Sequence, residues 1–303
     1  MLASVSLRRA AALLQLRTLQ SSPWLQNTHV IKRTISTPLA GKGDRWNGIT
    51  VDLQCNENFN KELFSKDLKD SLHLWKTSGK KAIWLNVPIM QSDLIPLAAQ
   101  QGFKLHHSQG ETVTLCKWLP DDLPNRIPIY ATHQVGVAGF VLNEDKGEVL
   151  MVQDKIRIAR WKFPGGLSDP GEDMADTAIR EVYEETGIRS EFKSILSFRQ
   201  QHDHPNAFGN SDIYVVCRLR PLTFDIKMCE EELTDVQWMD VHDLAYKEDM
   251  APITTRICRL VAYGLREGFD KVDVIKEQMA SVYKGAFFKI FHRPLPDKYN
   301  KRD

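Results

Sequence analysis

Cysteine is scarce in this sequence, which has five cysteines among its 303 residues. They are scattered along the chain, at Cys55, Cys116, Cys217, Cys229 and Cys258. Because no two of them form a C-x-x-C pair, the sequence lacks the spacing of a structural zinc site and of a disulfide framework. We therefore expect reduced thiols in an intracellular protein.

Long apolar runs are missing too, and no stretch reaches the length that a membrane-spanning helix requires. Apolar residues make up 42% of the chain and charged residues 26%, which is the composition of an ordinary soluble protein. The length is sufficient for two modest domains, each with its own core. We expect no association with a membrane.

Acidic residues are absent from residues 1–42, which carry six basic residues together with several serines and threonines. This composition is typical of a mitochondrial transit peptide, and the short apolar run at 10–16 fits a secretory signal less well. We expect mitochondrial localisation, with the cytoplasm and the nucleus as alternatives, since an unstructured basic extension has the same composition. Without these six positive charges the net charge of +1 becomes −5 for residues 43–303, which argues against broad binding to nucleic acid.

Residues 45–125 are predicted to form a small α/β domain. Two helices and two strands are expected in it, at 64–75, 92–101, 82–87 and 112–118. Adjacent His106 and His107 would point in different directions along an extended segment, which indicates surface residues. A polar, proline-bearing linker follows this domain.

The segment 133–268 is predicted to form a second domain, and residues 269–303 a C-terminal extension. Strands are expected at 135–142, 149–153, 195–200, 213–219 and 236–239, and a helix at 252–264. These elements predict an α/β (α+β) fold in which helices flank a mixed sheet.

The most informative segment lies at 166–188 and reads G-L-S-D-P-G-E-D-M-A-D-T-A-I-R-E-V-Y-E-E-T-G-I. Its apolar residues fall at i, i+3, i+4 and i+7, as on one face of a helix that Gly187 ends. Glu181 and Glu185 are four residues apart, so their carboxylates share a helix face and repel each other. A divalent cation would offset this repulsion, and hard oxygen ligands suit Mg²⁺ or Mn²⁺.

This segment fits the pattern G-x5-E-x7-R-E-U-x-E-E-x-G-U, where U is a bulky aliphatic residue, at every fixed position. It therefore resembles the Nudix box, and a chance match in a chain of this length has odds below roughly one in a million. The resemblance implies a Nudix α/β/α sandwich with a mixed sheet, preceded by a small α/β pre-Nudix domain. It also implies a hydrolase that cleaves nucleoside diphosphates linked to another group, by attack of water on phosphorus.

The resemblance assigns expected roles to single residues. Glu181, Glu184 and Glu185 are the expected metal-binding and catalytic carboxylates, with Glu185 foremost. Glu172 and the backbone carbonyl of Gly165 are expected at the same Mg²⁺ or Mn²⁺ site.

One further acidic residue is expected from a loop outside the box, as general base or extra metal ligand. Glu231 and Glu232 are both candidates because they precede the strand at 236–239, and a solvated acidic loop explains either one equally well. Arg180 is expected to orient the acidic cluster by pairing with Glu184, and to contact the substrate.

Substrate choice is expected to depend on the polar loop at 199–212. His202, His204 and Phe208 are candidates for binding a ribose or stacking on a base. A plain surface loop is an equally good interpretation of the same residues.

The two-domain arrangement resembles one small Nudix subfamily, that of the Nudix protein encoded antisense to basic fibroblast growth factor, whose first domain is acetyltransferase-like. Residues 45–125 contain no glycine-rich loop for coenzyme A phosphates, so we expect docking or homodimer formation rather than acetyl transfer. Plant members of the wider group act on ADP-ribose and NADH, and a nucleotide derivative of this type is the expected substrate. Capped RNA is a further candidate. The alternative is a regulatory or binding protein of cell growth with weak or no hydrolase activity.

Overall fold

The computed structural model describes residues 38–54, 60–155, 160–205, 207–248 and 250–296. Residues 1–37, which make up most of the predicted transit peptide, lie outside the described residues, as does Cys55. The chain divides into two compact units, Met1–Pro128 and Ile129–Asp303. No described helix is both long and apolar enough to cross a membrane.

The first unit contains a five-stranded sheet and two α-helices. Its elements are β1 (Lys42–Gly43), β2 (Ile49–Asp52), α1 (Lys61–Thr77), β3 (Ala82–Pro88), a 3-10 helix (Ile89–Leu94), α2 (Ile95–Gln100), β4 (Lys104–Gln109) and β5 (Thr112–Trp118). The strand order is β1-β2-β3-β5-β4, in which β2 and β3 are parallel and the other pairs are antiparallel. The small α/β fold predicted for this part of the chain is confirmed.

Local sequence explains where the two helices begin. The N-terminus of α1 is capped by Asn60, whose side chain accepts a hydrogen bond of 3.0 Å from the backbone N–H of Leu63. The second α-helix is shorter than the predicted helix at 92–101, because the residues before Ile95 wind into the 3-10 helix. Pro96 lies in the first turn of α2, where a missing backbone N–H is tolerated.

The prediction that His106 and His107 point apart is wrong. The pairing of β4 with β5 shifts register between Leu105 and His107, which marks a β-bulge. A bulge interrupts the alternation of side chains along a strand. As a result the two imidazole rings lie 5.0 Å apart, and their Nδ1 atoms are separated by 2.8 Å.

The second unit contains a seven-stranded sheet, three α-helices and a separate hairpin among its described residues. Its elements are β6 (His133–Asn143), β7 (Glu148–Asp154), β8 (Trp161–Lys162), β9 (Gly165–Leu167), α3 (Met174–Thr186), β10 (Ser190–Gln201), β11 (Ser211–Pro221), β12 (Leu233–Asp240), α4 (Val241–Tyr246), α5 (Pro252–Glu267), a 3-10 helix (Phe269–Lys271), β13 (Ile275–Ala280) and β14 (Phe287–His292). The main strand order is β10-β11-β6-β7-β12, with β8 paired to β7 and β9 to β6. The sheet is mixed because β6 and β11 are parallel while the other pairs are antiparallel.

Helices cover both faces of this sheet. Side chains alternate along β6, so that Ala138 and Phe140 join a core with α4 and α5. Val137 and Val141 point the other way and join a core with α3. The predicted α/β/α sandwich with a mixed sheet is therefore confirmed.

The helix predicted within 166–188 is α3. It ends at Gly187, which has a φ of 71° and donates its N–H to the carbonyl of Tyr183 at 2.8 Å. Glycine adopts this left-handed conformation without steric cost. The predicted apolar stripe faces the sheet and includes the buried residues Ala175, Ala178 and Val182.

The close contact between α3 and β6 depends on Gly139. A Cβ atom at this position would lie 2.5 Å from Val182 Cγ2 and 2.7 Å from Leu219 Cδ1.

We expect Gly139→Ala to lower the free energy of unfolding by about 1–3 kcal/mol, since an extra methyl group overfills this core. The thermal unfolding midpoint measures this. Gly43→Ala is the control, because its Cβ would have no neighbour closer than 4.0 Å. An unchanged midpoint for Gly139→Ala would contradict the packing described.

The residues after α5 are fastened to the sheet by a buried ion pair. Arg218 donates from Nε to Asp273 Oδ1 at 3.0 Å and from Nη2 to Asp273 Oδ2, and Ser194 Oγ donates to Asp273 Oδ1 at 2.6 Å. Val274 then pairs with Ile195 of β10 through two backbone hydrogen bonds. The predicted C-terminal extension thus includes the hairpin of β13 and β14, which the sequence patterns did not reveal.

Candidate active site

Glu185 is the most deeply buried carboxylate of the site. It lies on the last turn of α3 and is 4% exposed. Its Oε2 accepts a hydrogen bond of 3.1 Å from the backbone N–H of Gly165, and its Oε1 lies 3.8 Å from Lys162 Nζ. The last turn of α3 therefore faces β8 and β9, the strands that carry these two partners.

Two glycines on β9 make room for the carboxylates. A Cβ at Gly166 would lie 2.5 Å from Glu181 Oε1, so the carboxylate contacts the backbone directly. Gly165 has a φ of 157°, and a Cβ there would lie 2.3 Å from the carbonyl oxygen of Val137. Larger residues at these positions would separate β9 either from β6 or from α3.

Arg180 lies inside the carboxylate cluster and donates every N–H of its guanidinium to a protein acceptor. Nε and Nη2 donate to Glu172 at 2.8 and 2.9 Å, and Nη1 donates to Glu181 at 2.8 Å and to Glu184 at 3.1 Å. Nη2 also donates to the carbonyl of Leu167 at 3.2 Å. The predicted pairing with Glu184 is present. Arg180 has no N–H group left for the predicted contact with substrate, so we assign it a positioning role.

Burial and neighbouring charge move the pKa values of the carboxylates in opposite directions. Burial raises the pKa of Glu185 to about 7, a rise that Lys162 opposes and Glu181 increases. Burial also raises the pKa of Glu181. The hydrogen bonds from Arg180 lower the pKa of Glu172 to about 2. Glu172 is thus a stable anion, whereas ionised Glu185 needs a compensating positive charge.

In the absence of divalent metal, we expect the buried carboxylate of Glu185 to make stability depend on pH. Its pKa is about 7 in the folded state, against an ordinary value of 4.5. Between these values the folded state binds more protons than the unfolded state, so stability falls as pH rises. The free energy of unfolding of Glu185→Gln, minus that of the unaltered protein, should therefore increase by about 1–3 kcal/mol between pH 5 and pH 8.

Thermal unfolding of both proteins in EDTA at the two pH values measures this difference. Glu191→Gln is the matched control, because Glu191 is a half-buried carboxylate outside the cluster that is paired with Arg220 and Lys193. An effect of Glu185→Gln that is equal at pH 5 and pH 8 would contradict the raised pKa.

The chemistry of the predicted metal ligands fits a hard divalent cation. Glu172, Glu181, Glu184 and Glu185 offer carboxylate oxygens, the donors that Mg²⁺ and Mn²⁺ prefer. Repulsion among Glu181, Glu184 and Glu185 is the electrostatic cost that a bound cation relieves. Within the described residues, no three His, Cys, Asp or Glu side chains converge closely enough to form a ligand set. Arg180 lies between Glu172, Glu181 and Glu184 and provides the positive charge there.

Of the two candidate loop acids, Glu232 is the one that the structure places near the cluster. Its charge raises the pKa of both Glu181 and Glu185. The backbone N–H of Lys155, at the end of β7, donates to the Glu232 carbonyl at 3.0 Å. Among the described residues, no contact links the side chain of Glu231 to the cluster.

The three candidates of the substrate loop have different surroundings. His202 Nδ1 lies 2.7 Å from Ser211 Oγ, and its ring lies 6.3 Å from the ring of His133. His204 contributes to lowering the pKa of Asp212. Phe208 is 93% exposed, so its ring lies in solvent.

A polar group that the sequence patterns did not reveal lies at the base of this loop. Arg199 Nη2 donates to Asp212 Oδ2, and Gln134 Nε2 donates to Asp212 Oδ1 at 3.0 Å. The guanidinium also lies 5.2 Å from the ring centroid of Tyr214. No local motif connects these residues, because they come from three different strands.

The sandwich fold and the carboxylate cluster together define a hydrolase of pyrophosphate bonds, and comparison with known families agrees. The profile described as NUDIX domain matches residues 132–259, and the profile described as Nudix hydrolase domain matches residues 39–119. This chain belongs to the Nudix hydrolase family, whose members act on nucleoside diphosphates linked to another moiety.

Individual relatives resemble most of the chain. The human protein named nucleoside diphosphate-linked moiety X motif 6 is 49% identical over 265 residues, which cover 86% of this chain and 84% of the relative. The Xenopus laevis protein of that name is 53% identical over 211 residues, covering 69% and 97%. Nudix hydrolase 2 of Arabidopsis thaliana is 34% identical over 258 residues, covering 82% and 91%. The predicted resemblance to the subfamily is confirmed.

Proposed function

We propose that this protein is a divalent-metal-dependent hydrolase that cleaves the diphosphate linkage of ADP-ribose or NADH. The observation that carries the proposal is the packing of buried Glu185 and half-buried Glu181 against Gly165 and Gly166. Two repelling carboxylates in one buried site destabilise the fold, and a protein that only bound a partner would gain nothing from them. The substrate class follows from the resemblance to the plant members of the group.

Glu172, Glu181, Glu184, Glu185 and the Gly165 carbonyl are the groups proposed to hold Mg²⁺ or Mn²⁺. When bound, such a cation neutralises phosphate charge and lowers the pKa of a water molecule. Arg180 holds the carboxylates Glu172, Glu181 and Glu184 in place. Lys162 limits the repulsion at Glu185.

Glu232 is proposed as the general base, since its charge acts on the buried carboxylates from outside the helix. It would accept the proton of the attacking water. The new P–O bond forms as the bridging P–O bond breaks. For ADP-ribose, the products are then AMP and ribose phosphate.

The first unit is proposed to serve as a docking or homodimerising module through residues 45–125. The face of the sheet that includes Trp84, Asn86 and Thr114 lines an open groove of about 440 Å³. An interaction role is favoured over acetyl transfer because residues 45–125 contain no glycine-rich loop for coenzyme A phosphates. Light scattering of the full chain, compared with a chain that begins after residue 128, tests it, since loss of the dimer on truncation is the expected result.

Incubation of the purified chain with Mg²⁺ or Mn²⁺ and a panel of substrates tests the proposed activity. The panel contains ADP-ribose, NADH, coenzyme A, dinucleoside polyphosphates and capped RNA, and mass spectrometry identifies the products. We expect cleavage of ADP-ribose or NADH that stops in EDTA. Cleavage of capped RNA alone would establish decapping instead. A folded, metal-binding protein that cleaves nothing would favour the regulatory alternative.

A further inference from the structure

Arg199 on β10 is held in place by a buried carboxylate. Asp212 is 4% exposed, and each of its oxygens accepts one hydrogen bond, from Arg199 and from Gln134. Tyr214 lies against the guanidinium, with 5.2 Å between the Arg199 Cζ and the ring centroid. These contacts fix the orientation of the guanidinium before any ligand arrives.

Two nitrogens of the Arg199 guanidinium do not donate to any described residue. Among the described residues, its Nε is buried without an acceptor, and Nη1 donates to none of them. Arg218 on the neighbouring strand shows the contrast, since it binds Asp273 through both Nε and Nη2 and Glu144 through Nη1. An arginine with a purely structural role is expected to donate from all its nitrogens, as Arg218 does, because a buried N–H without an acceptor destabilises the fold. The Arg199 side chain is 35% exposed, so an incoming acceptor can reach the guanidinium, although not its buried Nε.

The strand pairing links Arg199 to the strand that contacts the carboxylate cluster. Arg199 is paired with Tyr214, Tyr214 with Gly136, and Gly136 with Leu167 of β9. Adjacent strands lie about 4.8 Å apart, so this row spans roughly 14 Å from Arg199 to the strand that contacts Glu181 and Glu185. A Cβ at Gly136 would lie 3.4 Å from the Tyr214 ring and 3.7 Å from the Gly166 carbonyl oxygen.

We propose that Arg199 binds a phosphate oxygen of the substrate, and that Asp212, Gln134 and Tyr214 are its positioning residues. The inference rests on the proposed function in one respect, that the diphosphate lies at the carboxylate cluster. A planar guanidinium with unused N–H groups suits phosphate, which accepts charge-assisted hydrogen bonds. Arg180 and Lys162 are already paired with the carboxylates, so Arg199 adds a positive charge that those carboxylates do not use.

Binding of AMP and of adenosine in the presence of Mg²⁺, measured by calorimetry, tests the proposal without requiring turnover. We expect Arg199→Met to weaken AMP binding about ten-fold to a hundred-fold while adenosine binding stays unchanged. Arg199→Lys should retain part of the affinity, because it keeps the charge but loses the planar fork. Arg220→Met is the matched control on β11, since Arg220 is exposed and pairs with Glu191, and it should bind as the unaltered protein does.

Three results would overturn the proposal. They are AMP binding that Arg199→Met leaves intact, equal losses for AMP and adenosine, and an unaltered protein that does not bind AMP. If Arg199→Met fails to fold, Arg199→Gln takes its place in the experiment, because its amide can still donate to Asp212. The thermal unfolding midpoint shows whether each variant is folded. Failure of every substrate in the hydrolysis panel, with AMP binding still dependent on Arg199, would overturn the proposed function and leave this binding role standing.

Discussion

Glu185→Gln is expected to lower kcat for the cleaved substrate about a thousand-fold, because a catalytic cation contributes several kcal/mol and each 1.4 kcal/mol changes a rate about ten-fold. The substitution keeps the size of the side chain and its hydrogen bond with the Gly165 N–H. It removes the negative charge that is buried on the last turn of α3. The protein should therefore remain folded and lose the group proposed to hold the metal most firmly.

Initial rates at saturating Mg²⁺, together with the affinity for Mn²⁺, measure this effect. Glu191→Gln makes the same chemical change at a half-buried carboxylate on β10, outside the cluster, and should leave kcat within about two-fold. A Glu185→Gln protein that keeps more than about a tenth of the activity would show that catalysis does not depend on this carboxylate.

Glu232→Gln is expected to lower kcat about a hundred-fold, whereas Glu231→Gln should leave it nearly unchanged, since general base catalysis contributes roughly 10²–10⁴-fold. The two residues are adjacent and both are exposed. Of these two residues, Glu232 is the one whose charge raises the pKa values of Glu181 and Glu185. The pair is thus a matched comparison in which position is the main variable.

The affinity for Mn²⁺ separates a general base from an added metal ligand. If Glu232 accepts the proton of the attacking water, Glu232→Gln should lower kcat and leave the affinity for Mn²⁺ unchanged. A role as metal ligand would weaken that affinity. Equal activities of Glu231→Gln and Glu232→Gln would remove Glu232 from the proposed mechanism.

Stability and activity make opposite demands on Glu185. Burial raises its pKa to about 7, so its ionised form destabilises the protein at neutral pH until a cation binds. Glu185→Gln is therefore expected to gain stability without metal and to lose activity with it. A group with purely structural value would show losses in both measurements.

The sequence by itself determined the family, the box helix and the residues that line its polar face. These features are local, because helical spacing alone places Glu181 and Glu185 on one side of α3 and Gly187 at its end. Five strands of the mixed sheet were likewise predicted from the pattern of apolar residues, whereas the short β8 and β9 were not. The His106–His107 contact was mispredicted, since the bulge that creates it depends on the pairing of β4 with β5.

Tertiary structure decided which groups meet across the sheet. In the folded protein every N–H of the Arg180 guanidinium donates to an acceptor in or beside the carboxylate cluster. Glu232 rather than Glu231 acts on Glu185, and Phe208 lies in solvent. Tertiary structure also joined Arg199, Asp212 and Gln134, which lie on three strands and share no motif. Such contacts depend on strand order and register, which are set by the packing of the whole core and leave no short-range signal in the sequence.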